Sequence, residues 1–250
     1  MIDPRAVVDP AARLAPHGTV VPLSVIGAEV EIGSGTWIGP HVVIQGPTRI
    51  GRDNRIYQFT SLGEIPQDKK YGGEPTRLEI GDRNTIREFV TINRGTAQDA
   101  GLTRLGDDNW IMAYVHIAHD CVVGDRTIFA NGASLAGHVH IEDDVVLGGF
   151  ALVYQFTRLG MHSFCGFACG VHRDVPPYVT VAGYRAEPHG VNAEGLRRRG
   201  FVDEEIQTIR RAYKVIYRAN LRLEEALDKV REMTVECPRL QILADFLAAP

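Results

Sequence analysis

Aliphatic side chains recur every six residues through most of this chain. Counting from Leu105, each sixth residue is in turn Ile111, Ile117, Val123, Phe129, Leu135, Ile141, Leu147, Val153, Leu159, Cys165 and Val171. The same register opens the chain, from Ile2 through Val8, Leu14, Val20, Ile26, Ile32, Ile38, Ile44, Ile50 and Ile56 to Leu62. A helix repeats its apolar face about every 3.6 residues and a half-buried strand every second residue. A period of six fits neither. It is the signature of a parallel β-helix whose coil is a triangular prism, three sixes to the turn. The leading aliphatic points into the prism, where burying each side chain contributes roughly 1.5–3 kcal/mol. Successive coils stack at about 4.8 Å.

The register breaks twice. Residues 63–79 contain two prolines, three glycines and no leading aliphatic before Ile80, Ile86 and Ile92 resume the count. Residues 93–104 form a second insertion. Loops ejected from a rigid solenoid are either tolerated surface insertions or places for function. Hexads end near Val171, and Asp174-Val175-Pro176-Pro177-Tyr178 is expected to stop the sheet, since proline cannot donate to a ladder. Residues 178–187 have room for one irregular strand. Beyond Pro188 the spacing turns helical. Phe201, Ile206, Ile209, Ala212, Tyr213 and Ile216 form one stripe behind the acidic start Asp203-Glu204-Glu205. Leu221, Leu223, Ala226, Leu227 and Val230 form a second, and Leu240, Ile242, Leu243, Phe246 and Leu247 a third. The expected organisation is an all-β parallel β-helix over 1–187 and an α-helical domain over 188–250.

A net charge of −4 gives no electrostatic case for a nucleic-acid partner. The four cysteines show no C-x-x-C spacing, and Cys165 on an inward position reads as a small buried hydrophobe, which fits a reducing compartment. Met1-Ile2-Asp3-Pro4-Arg5 has neither the basic start nor the apolar run of a signal peptide. No stretch of eighteen apolar residues exists, so no transmembrane segment and a cytoplasmic location are expected. The 26 glycines are expected at the tight corners of the coils.

Eighteen residues per coil provide a ruler. It stacks Gly137 on His119, His138 on Asp120, and Gln155 on Gly137. His119, Asp120, Gly137, His138, Tyr154 and Gln155 then form one polar patch across three coils. A neutral imidazole is the usual general base near pH 7. Asp120 is placed to fix the tautomer of His119, although neighbours on a strand point to opposite faces. A glycine beside a base lets a reacting carbonyl approach the backbone, whose N–H is an oxyanion donor. The same histidines, His116, His119, His138 and His140, also suggest a zinc site of the kind found in γ-class carbonic anhydrases. His140 should face away from His138, and that reading leaves the tail and both insertions without a role.

The tail carries a second constellation, Gly190-Val191-Asn192-Ala193-Glu194-Gly195-Leu196-Arg197-Arg198-Arg199-Gly200-Phe201. Arginine recognises phosphate bidentately, while Asn and Glu offer partners to a base or ribose. The bland alternative is a solvated charge run at a helix start. Arginine near a helix N-terminus is unfavourable for the dipole, which argues for a ligand.

At these residues the chain resembles the UDP-N-acetylglucosamine 3-O-acyltransferase family of lipid A biosynthesis. The resemblance runs through Ile50-Gly51-Arg52-Asp53-Asn54-Arg55-Ile56-Tyr57-Gln58-Phe59, Gly73-Glu74-Pro75-Thr76-Arg77, His116-Ile117-Ala118-His119-Asp120-Cys121, Leu135-Ala136-Gly137-His138-Val139 and the Asn192–Phe201 segment. It implies a left-handed β-helix, a homotrimer with sites between subunits, and transfer of a 3-hydroxyacyl chain from acyl carrier protein to the glucosamine 3-hydroxyl. It implies His119 as general base, Asp120 as its support and the Gly137 N–H as oxyanion donor. It places Asp68, Lys70 and His138 on the sugar, His116, Gln155 and Arg199 on the diphosphate, and Asn192 and Glu194 on the nucleoside. Arg198 helps bind the acyl carrier or its phosphopantetheine. No metal or redox cofactor is implied.

Three positions depart from the family pattern. Tyr154 stands where a histidine is usual, which leaves N-acylation of a 3-amino UDP-sugar as an alternative. Asn93 stands where the family writes histidine in T-I-H-R-G. Phe167 stands where long-chain members have glycine at the end of the acyl groove, so the expected chain is shorter than fourteen carbons. The alternative for Phe167 is a ring turned into the prism or packed on a neighbour.

Overall fold

The computed structural model describes residues 1–249. Three sheets of nine, eight and ten strands wrap a prism, and through the regular coils each strand pairs in parallel with the third strand before and after it in sequence. The first face includes Ser61–Glu64, Thr91–Asn93, His116–Ile117, Ser134–Leu135 and Leu152–Val153. The second includes Val122–Val123 and His140–Ile141, and the third Ile128–Phe129 and Val146–Leu147. The register obeys the period of six. Ile117 pairs with Leu135 and Leu135 with Val153, and all three point into the core. Cys121, Cys165 and Cys169 are buried there too, and burial pushes the Cys121 thiol up to about 12.

The glycines do something other than turn corners. The residue three places after most of the inward residues takes the left-handed conformation, and it is mostly not glycine. Asp53, Arg83, Asp108 and Arg126 sit there at φ of 57°, 55°, 58° and 55°. An L-residue in that region costs roughly 1–2 kcal/mol, offset by the ladders and core on both sides. Only Gly35 and Gly132 are corner glycines of this kind. Eleven others follow the inward residue directly, where coils touch. A Cβ on Gly33 would lie 2.6 Å from the carbonyl carbon of Gly51, and one on Gly51 would lie 2.6 Å from the Gly81 oxygen.

Both insertions leave from one edge, where the first face turns into the second. They are shorter than the register break suggests. Residues 63–64 and 77–79 stay in strands, as do 93 and 102–104, because their backbone still finds ladder partners. The projecting parts are residues 65–76 and 94–101.

The sheet also runs further than the prolines predict. Val175 keeps an isolated bridge to Leu159, and Val179–Ala182 pairs with Phe164–Cys165. Glu187–Val191 then adds an antiparallel strand and crosses the expected 187/188 boundary. Pro188 is tolerated because this strand is the sheet's outer edge. Four helices follow: α1 (Ala193–Arg198), α2 (Asp203–Arg218), α3 (Leu223–Met233) and α4 (Gln241–Ala248). The last three match the three apolar stripes; α1 is additional. Leu196, Ile206, Ile209, Val230 and Leu243 pack them around Tyr178, whose hydroxyl donates to the Arg239 carbonyl at 2.6 Å. No helix among the described residues is long and apolar enough to cross a membrane.

Candidate active site

His119 lies just before the first-to-second edge, and Asp120 is the corner residue at φ 59°. The left-handed corner overturns the expectation that neighbours must face apart. It folds the Asp120 carboxylate back to 2.8 Å from His119 Nδ1. Asp120 is almost fully buried, and its oxygens accept from the Thr96 N–H at 2.8 Å and the Thr96 hydroxyl at 2.6 Å. Its own N–H donates to Thr103 Oγ1. A buried carboxylate this well bonded is held in one orientation, and it holds the imidazole in turn.

One coil on, Gly137 stacks on His119 as the ruler requires. A Cβ there would lie 2.6 Å from His119 Cε1 and 2.8 Å from Nε2. The Gly137 carbonyl accepts from Phe156, but no acceptor among the described residues takes its N–H. His138 is the next corner residue. Its ring stands edge-on to His119 at 5.1 Å and stacks flat on Phe156 at 4.5 Å. His138 Nδ1 bonds Asp99 Oδ2 at 2.8 Å, and Nε2 lies 3.9 Å from Asp120 Oδ2. The second insertion therefore reaches both histidines, one through Thr96 and one through Asp99.

His116 projects outward from the first face and bonds the Thr91 hydroxyl through Nδ1 at 2.7 Å. Burial, then the nearby His119, hold its imidazole below the usual histidine range. Asp68 on the first insertion accepts the Lys70 N–H, which lowers its carboxyl, and His119 and His138 are near enough to lower it further. Tyr154 and Gln155 continue the patch on the third coil, both exposed, with the Tyr154 ring 5.8 Å from His172. His140 faces outward on the second sheet, away from this edge. Among the described residues, one ligand atom each from His119, Asp120 and His138 lie within 4.8 Å of one another, so the donor set of a cation site exists without His116 or His140. Nδ1 of each histidine, however, is already engaged by a carboxylate.

The tail residues gather elsewhere, at the second-to-third edge. Asn192 caps α1 by accepting the Gly195 N–H and donates to the His162 carbonyl. Arg199 pairs with Asp144 at 2.9 Å, and Arg198 with Glu194 at 3.1 Å. The arginines end α1 rather than begin it, where the dipole favours cations. The dipole argument for a ligand thus falls, since it assumed a helix starting after them. No hydrogen bond or ion pair among the described residues links this group to His119, and the whole second face separates the two edges. Phe167 does not turn into the prism. It is 74% exposed and stands edge-on to Phe150 at 6.0 Å, over Gly149.

Comparison with known proteins locates this architecture. Residues 174–250 match the family model described as UDP N-acetylglucosamine O-acyltransferase, domain 2. Residues 29–64 and 103–137 match the bacterial transferase hexapeptide model. The acyl-[acyl-carrier-protein]–UDP-N-acetylglucosamine O-acyltransferase of Herminiimonas arsenicoxydans is 63% identical, covering 99% of this chain and 96% of its own. The like-named protein of Halorhodospira halophila is 61% identical, with 98% and 95% covered. The chain belongs to the UDP-N-acetylglucosamine O-acyltransferase family. Its coil is the left-handed β-helix of that family. The crystal structure of the UDP-N-acetylglucosamine O-acyltransferase of Moraxella catarrhalis matches it with a TM-score of 0.96 at 44% identity, over 98% of this chain and 96% of that one. Thr96, Thr103, Asp99 and Phe156 are the neighbours of the two histidines that sequence reading missed in this acyltransferase. Phe156 was within reach of the ruler, being eighteen residues beyond His138; the loop residues gave no periodic signal.

Proposed function

We propose that this acyltransferase moves a 3-hydroxyacyl group from acyl carrier protein to the glucosamine 3-hydroxyl of UDP-N-acetylglucosamine, the first committed step of lipid A biosynthesis. The observation that carries the mechanism is His119 held through Nδ1 by Asp120, with its ring against Gly137, whose N–H has no acceptor among the described residues. The names of the close relatives supply the two substrates. His119 Nδ1–H donates a hydrogen bond to Asp120, so Nε2 keeps a lone pair for the sugar hydroxyl. The oxygen attacks the thioester carbonyl as Nε2 takes its proton. The tetrahedral oxyanion accepts the Gly137 N–H. Collapse breaks the C–S bond, and the imidazolium returns its proton to the leaving phosphopantetheine thiolate. The cycle needs no metal, redox cofactor or covalent enzyme intermediate.

In this reading Asp68, Lys70 and His138 hold the sugar, and His116, Gln155 and Arg199 hold the diphosphate. Asn192 and Glu194 take the nucleoside, and Arg198 the acyl carrier or its phosphopantetheine. The separation of the tail residues from His119 supports sites shared between subunits of a homotrimer. The exposed ring of Phe167 supports an acyl chain shorter than fourteen carbons. Tyr154, exposed where the family pattern has histidine, favours keeping one second reading: N-acylation of a 3-amino UDP-sugar.

The test is transfer from 3-hydroxyacyl carrier proteins of several chain lengths to UDP-N-acetylglucosamine, wild type beside His119→Ala. Loss of a general base costs ~10²–10⁴-fold. Transfer to the 3-amino sugar alone would change the acceptor and keep the base. Equal rates in both proteins would overturn the mechanism, and silence with both acceptors would turn attention to zinc at the His119, Asp120 and His138 donor set.

A further inference from the structure

The second insertion is fastened to the site at two points that the proposed mechanism leaves unexplained. Thr96 at its start grips the Asp120 carboxylate with both its N–H and its hydroxyl. Gly101, at φ 67°, closes the turn by donating its N–H to the Thr96 carbonyl at 3.1 Å. Between them, Asp99 Oδ1 accepts the N–H of Ala100 at 2.8 Å, which fixes the carboxylate plane. Asp99 Oδ2 is thereby presented to His138 Nδ1 at 2.8 Å, across 39 residues of sequence. On its other side the His138 ring is pinned flat against Phe156. The histidine bond is the first of the causes that lower the Asp99 carboxyl.

We infer that Asp99 is a positioning residue for the transfer reaction: it accepts a hydrogen bond from His138 Nδ1–H and so fixes the tautomer and rotation that present Nε2 to the substrate. The inference rests on the proposed acyl transfer. An ionised carboxylate only accepts, so the ring nitrogen facing it must carry the hydrogen. A neutral His138 then has its lone pair on Nε2, on the side of Asp120 and His119. With Asp99 removed, the stack on Phe156 still defines the ring plane but permits a flip within it, exchanging Nδ1 and Cδ2. Asp120 and Asp99 therefore impose the same polarity on the two histidines: each has Nδ1 tied back to a carboxylate and Nε2 left toward the site.

The experiment compares wild type, Asp99→Ala, Asp99→Glu, His138→Ala and the double variant Asp99→Ala/His138→Ala. Nitrogen-15 NMR of the imidazoles, with His138→Ala used to assign its signals, reads the tautomer without any substrate. The wild type should show His138 protonated at Nδ1 and Asp99→Ala a mixture or the reverse. Turnover with acyl carrier protein and UDP-N-acetylglucosamine should fall about 10–100-fold in Asp99→Ala, the range for a residue that orients a functional histidine. Asp99→Glu should recover part of it, and the double variant should be no slower than His138→Ala. An unchanged His138 tautomer in Asp99→Ala, or a further loss on adding that substitution to His138→Ala, would overturn the inference. A wild type inactive with these substrates, yet with the expected tautomer switch, would count against the reaction and not against the Asp99–His138 pairing.

Discussion

The ring of His119 occupies the space that a side chain on Gly137 would fill, with Cε1 2.6 Å and Nε2 2.8 Å from the site of a Cβ. Gly137 does not take a left-handed φ, so alanine is compatible with its backbone. What alanine would displace is the imidazole. Gly137→Ala should lower kcat/KM by about 10²–10³-fold, the cost of losing an oxyanion donor or its alignment. Its thermal midpoint should stay within a few degrees of wild type. Near-normal turnover would mean that the base and the oxyanion donor do not share this spot.

A half-buried and a buried histidine, His116 and His162, give the fold a defined acid limit. Burial is the first cause lowering both His116 and His162; the charge of His119 adds to it for the former, and Arg199, Arg239 and Arg126 add to it for the latter against an opposing Asp144. A pKa below the unfolded value of about 6.5 means that the unfolded chain binds the proton more readily. The stability they contribute is fully present above that value and is lost as pH falls from there toward the folded pKa. The lowered carboxyls of Asp68 and Asp99 act in a separate window, below the ordinary carboxylate range near 4. Urea titrations at pH 8, 7, 6 and 5.5 should show stability falling below 6.5. His116→Gln and His162→Gln should each flatten the curve, and an unchanged slope in both would refute the assignment.

The prism was readable because each inward residue declares its own register: Ile117, Leu135 and Val153 are eighteen apart in sequence and adjacent in space. The stacking of Gly137 on His119 followed from the same ruler. The Asp120 side chain did not, because its contact depends on a corner conformation that a simple rule of alternation ignores. Asp99 was out of reach for another reason. Its partner His138 is 39 residues away, and the inserted loop that carries Asp99 has no period. The direction of the dipole at Arg197 to Arg199 turned on whether a six-residue helix ends at them, and a stretch that short leaves too few apolar positions to reveal it.

Phe167 is a direct probe of acyl length. Its ring is exposed and rests over Gly149 beside Phe150, where it would close a groove rather than fill the core. Each methylene admitted by its removal adds about 0.8 kcal/mol of burial, roughly fourfold in preference. Phe167→Gly should raise the ratio of fourteen- to ten-carbon turnover by about 10²-fold, with little change for ten carbons. The check is competition between the two acyl carrier proteins. A wild type that already prefers fourteen carbons, with an unchanged ratio in the variant, would remove Phe167 from the groove.

The distance between the two constellations makes a prediction about assembly. His119 and its partners line the first-to-second edge, while Asn192, Glu194, Arg198 and Arg199 gather at the second-to-third edge beside Asp144 and His162. One rigid prism cannot bring them together, so a site that uses both must take them from two subunits. His119→Ala and Arg198→Ala, each impaired alone, should then complement when coexpressed. Arg198 is exposed and, among the described residues, its side chain pairs only with Glu194 across one helical turn, so its loss leaves the fold intact. In a closed ring of three, every mixed trimer holds one site with both halves intact, and random mixing restores about a quarter of wild-type turnover. The measurement is activity of the purified mixed assembly against each homogeneous variant. Activity no higher than the average of the two would place each complete site within a single chain, and Arg198 would then act on some surface other than the one facing His119.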